Sequence, residues 1–562
     1  MINEEVFTEQ AEYLSQDSFE KWATTLHEEG NIIRKLSQAG AKLITGPRGC
    51  GKTTLLLKVN QKLLNDSNSK ALPIYVNYKS SLKLEPLYRN NTNAAHWFNQ
   101  WLLYKVLFGL YESLENKNFK NIEVKPFKNK GRIESVIKLL ELGNIDDIQS
   151  ETLTSALLIE TIEIVVKELN LTRCVLLLDD AGHAFSSEQQ QDFFEFFREL
   201  KTKIISPKAA VYPGVTNYSS SFHIGHDAEE IDVWLKPTSE GYLEFMHSLL
   251  KTRIGEIPFN KLLETKNNLN LLCFAAYGIP RSLLNMISKF YKSDISDTSF
   301  TIKLTNKEVL RVIKDNFNRT YQIYDSLRIK LPMYERFIDI GGSVYERFLS
   351  INKDFNKGGS PEKQSGIIAI QRPVPSELTK VLGFFQYAGL VSYQGISNRG
   401  DKGAYELYEL HYSGIIDRNV FFSSRGVNVE KYSIAFANRP NHHYPRYSVS
   451  GILSELDGDT TFKLSLPACP NCNTPRISEE SKFCSSCGTK LKDASIFESI
   501  VKQDITLLPI TINRANSIKE NSNINCIKDL LMDTDNKQLR MVPQIGPKWA
   551  NRIKSYAEEF FA

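Results

Sequence analysis

One stretch restricts this chain more than any other: Gly46-Pro47-Arg48-Gly49-Cys50-Gly51-Lys52-Thr53. It fits the pattern G-x-x-x-x-G-K-[ST], a loop whose backbone wraps a chain of phosphates. Its setting fits too. Ala41-Lys42-Leu43-Ile44-Thr45 ahead of it reads as a short buried strand, and Thr54-Leu55-Leu56-Leu57-Lys58-Val59 behind it opens a helix. The glycines let the loop aim several N–H groups at a phosphate, and the helix start adds partial positive charge. In such a loop the residues from Gly46 to Thr54 cradle a nucleotide such as ATP. Lys52 reaches the β- and γ-phosphates, and the Thr53 hydroxyl ligates Mg²⁺.

A chain of 562 residues is too long for one core, so several domains are expected. The net charge of +4 permits a nucleic-acid partner without arguing for one. The first residues, Met1 to Phe7, are acidic and carry no apolar signal core. No run of about 18 apolar residues is present, so the expectation is a cytoplasmic protein with no membrane span. Of the eight cysteines, Cys50, Cys174, Cys273 and Cys526 are scattered, and the other four cluster near the C-terminal end. That usage points to a reducing compartment and one metal site rather than a disulfide framework.

Residues 1–37 read as a polar helical segment, with Phe19, Trp22, Ala23, Leu26 and His27 forming a face to pack on the core. Leu72 to Tyr78 reads as a second buried strand, and residues 81–170 as mostly helical. The second decisive stretch is Cys174-Val175-Leu176-Leu177-Leu178-Asp179-Asp180. An apolar run ending in carboxylates is how a doubly buried parallel strand reads, and ligands gather at its C-terminal end. Asp179 is the candidate Mg²⁺ acid, and Asp180 follows where a water-polarising group belongs. The Phe193, Phe194, Phe196 and Phe197 stripe between Glu188 and Lys203 reads as core. Arg198 on the same helix is either a surface residue or a finger for a neighbouring subunit's γ-phosphate. Ala209 to Asn217 reads as a further strand with Thr216 or Asn217 at its end, each either a γ-phosphate sensor or a turn former.

After Pro237 the pattern turns helical and reaches Ala276-Tyr277-Gly278-Ile279-Pro280-Arg281. Gly ending one helix and Pro starting the next is an ordinary cap. With the two upstream motifs, however, the segment resembles the sensor 2 region of AAA+ ATPases, in particular the origin-recognition and initiator clade. The resemblance covers residues 30–420. It implies an α/β fold: a parallel-sheet P-loop core over 38–225 and a helical lid over 226–300. A winged helix follows over 301–418. It also implies that Arg281 touches the γ-phosphate, that Asp179 is the Walker B acid, and that Asp180 replaces the family's usual Glu. Self-association into a homo-oligomer is a further implication.

Ser376 to Phe385 reads as an amphipathic helix capped by Ser376, and Leu390 to Tyr393 and Tyr405 to Leu410 as two strands. Between them Ser397 to Gly403 is a candidate wing with Arg399 and Lys402 for DNA phosphates. Such a module serves equally as a protein contact. Residues 419–465 give no clear pattern beyond a polar loop at His442-His443. Over 466–492, Cys469-x-x-Cys472 and Cys484-x-x-Cys487 have the spacing of a zinc ribbon, with four thiolates for a structural Zn²⁺ and no open position for water.

In the last segment, 493–562, Val542 to Ile553 looks like the turn of a helix-hairpin-helix element, with Ile527 to Leu531 as its first helix. In that family backbone N–H groups of the turn, here at Ile545 and Gly546, bind a DNA phosphate without reading bases. Lys548, Arg552 and Lys554 line one side of the second helix. Gln544 stands where the family usually has Gly, which crowds the approach. The whole reads as an ATP-driven, DNA-binding switch that recruits an unidentified effector protein in loading, transposition or defence against foreign DNA. The alternative is a STAND-type signalling NTPase that acts as a protein scaffold with slow hydrolysis.

Overall fold

The computed structural model describes residues 27–79, 93–116, 129–145, 153–180, 186–290, 304–400, 403–422, 428–437, 442–456, 460–476, 483–489 and 501–561, with a few isolated residues between. Five strands form the first sheet: β1 (Lys42–Thr45), β2 (Ala71–Asn77), β3 (Arg173–Asp179), β4 (Ile205–Ala210) and β5 (Glu229–Asp232). Their order is β2-β3-β4-β1-β5, and every pair is parallel. The strand after Ala209 that the sequence suggested stops at Ala210, because Pro213 and Gly214, at a φ of +69°, turn the chain.

The alternation of side chains sorts the apolar residues onto two faces. Ile44, Val175, Leu177 and Ala210 meet Leu55, Leu56, Val59 and Leu63 of the helix Lys52–Asn65. Leu43, Ile74, Leu176 and Leu178 face the other way, onto the helices Ala94–Asn116 and Ser187–Glu199. The four phenylalanines of the latter are buried in that core, as their spacing suggests. A capping box of Ser186 and Gln189 starts this helix. Both faces covered is what makes a parallel sheet stable and its strands continuously apolar.

Buried cations break that rule, most completely on β4. Lys208 on β4 is fully buried and donates to the carbonyls of Gln38, at 2.8 Å, and Gly40. Burial, then the charges of Lys42 and Arg173, pull its pKa down to about 7. The unfolded chain therefore binds more protons between that value and the ordinary lysine pKa of about 10.4. The penalty for burying this charge is full below pH 7 and fades as pH rises through that window. The difference in Tm between wild type and Lys208→Met is expected to move in favour of wild type as pH is raised from 7 to about 10. A thermal-melt series at several pH values checks the sign.

The second body is built of helices Tyr242–Ile254, Glu256–Leu263, Lys266–Ala275, Pro280–Ser288, Asn306–Asp325, Glu335–Phe355 and Ser376–Ala388 around a second sheet. That sheet holds β6 (Ile367–Gln371), β7 (Val391–Asn398), β8 (Ala404–Leu410) and β9 (Arg446–Tyr447) in the order β7-β8-β6-β9. The pairs β7–β8 and β6–β8 are antiparallel, and β9 joins β6 in parallel. Tyr277, Phe317, Tyr345, Phe385 and Leu410 belong to one apolar cluster, so the lid-like and wing-like segments share a core. Trp22 joins this cluster, with Arg253 at 5.3 Å over its ring, rather than the first sheet's core as expected. Ala23 and Leu26 lie outside the described residues. The residue capping Ser376–Ala388 is Pro375, not Ser376, whose hydroxyl instead bonds Glu377. The segment after residue 419 is less of a loop than it reads: it supplies the helices Val429–Ala437 and Val449–Leu453 as well as β9.

The C-terminal segment has its own small core of Ile505, Ala515, Ile527, Leu530, Leu539, Val542, Ile545 and Ile553. No described helix is long and apolar enough to cross a membrane.

Candidate nucleotide site and cysteine cluster

The loop Gly46–Thr53 leaves β1 and feeds the helix that starts at Lys52. The first-turn N–H groups of that helix have no partner within it and point back along its axis toward the loop. Gly49, at a φ of +84°, and Gly51, at +102°, hold the left-handed turns that bring those amides round. Lys52 is buried at 5% exposure. Its Nζ donates to the carbonyls of Gly46 at 2.7 Å and Pro47 at 2.9 Å, and lies 3.7 Å from the centre of the Tyr212 ring. Burial lowers its pKa, and Cys50, Asp180 and Asp179 oppose that shift.

The two acids sit at the end of β3, level with the end of β4: Leu178 pairs with Ala209. Asp179 is 1% exposed. Its Oδ2 accepts from the Tyr75 hydroxyl at 2.8 Å and its Oδ1 from the backbone N–H of Asp180 at 3.0 Å. Asp180 lies in the left-handed region, at a φ of +53°, which an aspartate tolerates better than most residues. Its Oδ1 accepts from the Tyr212 hydroxyl at 3.3 Å. One tyrosine thus touches both the lysine and the second acid. Burial first, and Asp180 next, raise its phenol pKa well above the ordinary value.

Arg281 comes to the same place from the second body. A Cβ at Gly49 would lie 3.3 Å from Ile279 and 3.4 Å from Arg281, a close fit at a residue whose φ of +84° already favours glycine. Arg281 also acts electrostatically on Lys52. Its helix starts with Pro280 at the first position, as the Gly-x-Pro-Arg spacing suggests. A further contact was not legible. The helix Ser376–Ala388 seats its C-terminal end on the loop: the Arg48 N–H donates to the Tyr387 carbonyl at 3.0 Å, and the Tyr387 and Tyr212 rings lie 5.5 Å apart. Gly214 and Gly383 touch backbone to backbone, since a Cβ on Gly214 would fall 2.6 Å from the Gly383 Cα.

Thr216 and Asn217 are both engaged near the end of β4. The Thr216 hydroxyl accepts from the Tyr212 N–H at 2.9 Å. The Asn217 N–H donates to Gln190 at 2.6 Å, and its Oδ1 accepts from Lys380 at 3.4 Å. Arg198 is half exposed, paired with Glu195 at 2.8 Å and donating to the Ser221 carbonyl at 3.2 Å. Sequence reasoning missed Tyr75, Tyr212 and Tyr387. Only Tyr75 left a signal, being on the strand that pairs directly with the acid-bearing one.

The four cysteines come together. Their sulfurs all lie within 4.8 Å of one another, with Cys469–Cys487 and Cys472–Cys484 each at 3.5 Å. Thiolates about 2.3 Å from a tetrahedral zinc stand roughly 3.8 Å apart, so the set fits that ion. The two knuckles repeat one design. Cys469 N–H donates to the Thr474 carbonyl at 2.9 Å and Cys484 N–H to that of Thr489 at 2.8 Å. A left-handed residue follows each second cysteine: Asn473 at a φ of +57° and Gly488 at +70°. Hydrogen bonds from Thr489, then from Cys472, pull the Cys487 pKa down to about 5, the thiolate form a metal needs.

At the candidate wing, the Arg399 N–H closes the turn onto the Gly403 carbonyl at 3.0 Å; Lys402 lies outside the described residues. In the last segment the expected first helix spans Ile527–Met532, and a long helix Pro547–Phe561 follows the turn. Gln544 takes a φ of +64°, the conformation a glycine would favour. Gly546 is exposed, while Ile545 packs its side chain into the local core. Lys554 does not line the outer face with Arg552: its ammonium caps the carbonyls of Leu530, Leu531 and Asp533 at 2.5, 2.8 and 3.1 Å. The side chain of Lys548 lies outside the described residues. Arg514, not singled out in the sequence, stacks 3.6 Å over the Trp549 ring, with Arg552 at 5.2 Å.

No protein-family model matches the chain, and no curated protein matches it. Among solved structures it is similar to the Orc1 protein of Aeropyrum pernix in complex with DNA, at 14% identity and a TM-score of 0.24, over 71% of this chain and 95% of that one. It is also similar to Cdc6p from Pyrobaculum aerophilum, at 13% identity and a TM-score of 0.27, over 75% of this chain and 98% of that one. Likenesses this weak fix no residue and no ligand; those rest on the loop, the acids and the cysteines themselves.

Proposed function

We propose that this chain is an ATP-binding and ATP-hydrolysing switch of the AAA+ type that engages DNA through its C-terminal modules. The observation that carries the reading is the convergence of Lys52, Asp179, Asp180 and Arg281 at one end of a parallel sheet. In the proposed roles the loop from Gly46 to Thr54 holds the phosphates, and Thr53 and Asp179 hold Mg²⁺. Lys52 and Arg281 stabilise charge on the γ-phosphate, and Asp180 orients the attacking water. Held there by Thr53 and Asp179, Mg²⁺ would supply positive charge against the phosphates. The core then spans 38–225, the lid 226–300, the winged helix 301–418, the zinc ribbon 466–492 and the hairpin module 493–562. Replacing Asp180 by asparagine is expected to slow turnover by about a hundredfold or more while ATP still binds. Single-turnover kinetics beside a binding titration separates the two.

The DNA half of the reading rests on cations of the last segment, the exposed Arg552 and the half-buried Arg514 over Trp549. Binding through phosphates falls steeply with salt, by close to one power of concentration per contact. Arg552→Ala and Arg514→Ala are each expected to weaken duplex binding uniformly across sequences and to flatten the salt slope by about one. Truncation before residue 467 is expected to remove most of the affinity. Anisotropy titrations on several duplexes over a salt series test this; full affinity in the truncated chain would refute it.

One observation favours the second reading, a STAND-type scaffold with slow hydrolysis. The wing-side helix is seated on the loop through Arg48 and Tyr387, an arrangement suited to holding a resting state until a protein trigger releases it.

A further inference from the structure

The turn that follows β4 presents one side chain to both the loop and the acids. Tyr212 lies two residues past the end of that strand and is 8% exposed. Its backbone is held at several points. The Val211 N–H donates to the Ile44 carbonyl at 2.9 Å, which ties the start of the turn to the strand that feeds the loop. Tyr212 is then clamped to Thr216 twice. Its N–H donates to the Thr216 hydroxyl at 2.9 Å, and the Thr216 N–H donates back to its carbonyl at 3.1 Å. The backbone of Gly383 packs on Gly214 inside the same turn. The Tyr387 ring stands edge-on to the Tyr212 ring, at 67° and 5.5 Å. Asn217 points elsewhere: its N–H goes to Gln190, and its Oδ1 accepts from Lys380.

From this turn the Tyr212 ring lies 3.7 Å from the Lys52 Nζ, and its hydroxyl lies 3.3 Å from the Asp180 Oδ1. Burial, then Asp180, raise the phenol pKa well above its ordinary value. The phenol therefore keeps its proton and is the donor in that bond. Among the described residues it is the one hydrogen bond that the Asp180 carboxylate accepts. A carboxylate accepts at both oxygens, so one bond from a fixed phenol orients it and leaves positions for a water. The same ring seats the lysine, so one residue holds the cation and the acid in a common frame.

We propose that Tyr212 is a positioning residue for ATP hydrolysis: its hydroxyl sets the Asp180 carboxylate relative to Lys52, and Thr216 acts through it by pinning its backbone. The inference rests on the reading of this site as an ATPase. It gives Thr216 the part of a turn former that presents the tyrosine, not of a group that touches phosphate.

The test compares the full wild-type chain with Tyr212→Phe, Asp180→Asn and the double variant. Single-turnover hydrolysis gives the rate, a binding titration the ATP affinity, and a thermal melt the fold. Tyr212→Phe keeps the ring on Lys52 and deletes the bond to Asp180. It is expected to slow hydrolysis by about tenfold, with ATP affinity and Tm close to wild type. In the Asp180→Asn background the same substitution is expected to cost no more than about twofold, because the carboxylate it orients is gone. A merely structural tyrosine would lower Tm or affinity and slow both backgrounds by the same factor. Should Tyr212→Phe fail to fold, Thr216→Val carries the same comparison, with a slower rate expected only where Asp180 is present. A folded Tyr212→Phe chain that turns over at the wild-type rate would overturn the proposal and leave the ATPase reading standing. So would an equal loss in the two backgrounds. A wild-type chain that binds ATP without hydrolysing it would overturn that reading, and the proposal with it.

Discussion

Lys52→Ala is expected to abolish nucleotide turnover while leaving the chain folded. The ammonium is 5% exposed and is held by two carbonyls of its own loop and the face of Tyr212. Burial works against its charge, so removing the group relieves a cost at the same time as it deletes those bonds. The catalytic loss has no such offset. A fixed positive group aimed at developing phosphate charge in a buried site is worth on the order of a hundred- to a thousandfold in rate. Steady-state phosphate release checks the rate, and a thermal melt checks the fold. Stabilisation by added ATP should vanish with the rate, because the loop then lacks its strongest anion contact. A variant that hydrolyses ATP at the wild-type rate would remove the loop from the mechanism.

Removing the metal from the cysteine cluster is expected to unfold that module and nothing else. Among the described residues the apolar cluster there consists of Cys469, Cys484 and Leu491, which gives the knuckles little core to fall back on. The fold of the two knuckles rests on what joins their sulfurs. Structural zinc in comparable small modules contributes roughly 10–16 kcal/mol of binding energy, all of it coupled to folding. Metal analysis should therefore find one zinc per chain, and Cys472→Ser with Cys487→Ser should lose it. Limited proteolysis should then cut between residues 466 and 491 in the variant and spare wild type. The first sheet, whose buried faces draw on none of these residues, should keep its melting behaviour. A chain that holds no zinc and is cut no faster after the substitutions would contradict the reading.

The parts legible in the sequence were those fixed by local chemistry. The strand–loop–helix around Gly46–Thr53, the doubly buried strand ending at Asp179, the Gly-x-Pro-Arg cap and the two cysteine knuckles each depend on residues a few positions apart. What stayed hidden depends on chain crossings. Tyr212 reads as an aromatic inside a strand over Ala209 to Asn217, and only the end of β4 at Ala210 and its parallel pairing with β1 and β3 bring it over Lys52 and beside Asp180. Tyr387 lies beyond Phe385, where the sequence reading ends the helix, and its carbonyl reaches Arg48 across hundreds of residues of chain. Lys554 looked like one of a row of cations, but helix geometry turns it inward to cap a neighbouring helix. Ser376 looked like a cap because it precedes an apolar period, yet the helix starts one residue earlier, after the Pro375 that already fixes φ.

The central claim is that ATP use at the loop is coupled to DNA held by the C-terminal modules. The most direct measurement is steady-state ATP hydrolysis with and without linear duplex DNA, on the intact chain, on Lys52→Ala and on the chain truncated before residue 467. The account predicts that DNA speeds hydrolysis in the intact chain, that the truncated chain hydrolyses ATP without responding to DNA, and that Lys52→Ala does neither. Slow hydrolysis that is the same with and without DNA in the intact chain would contradict it and leave the protein-triggered scaffold as the better reading.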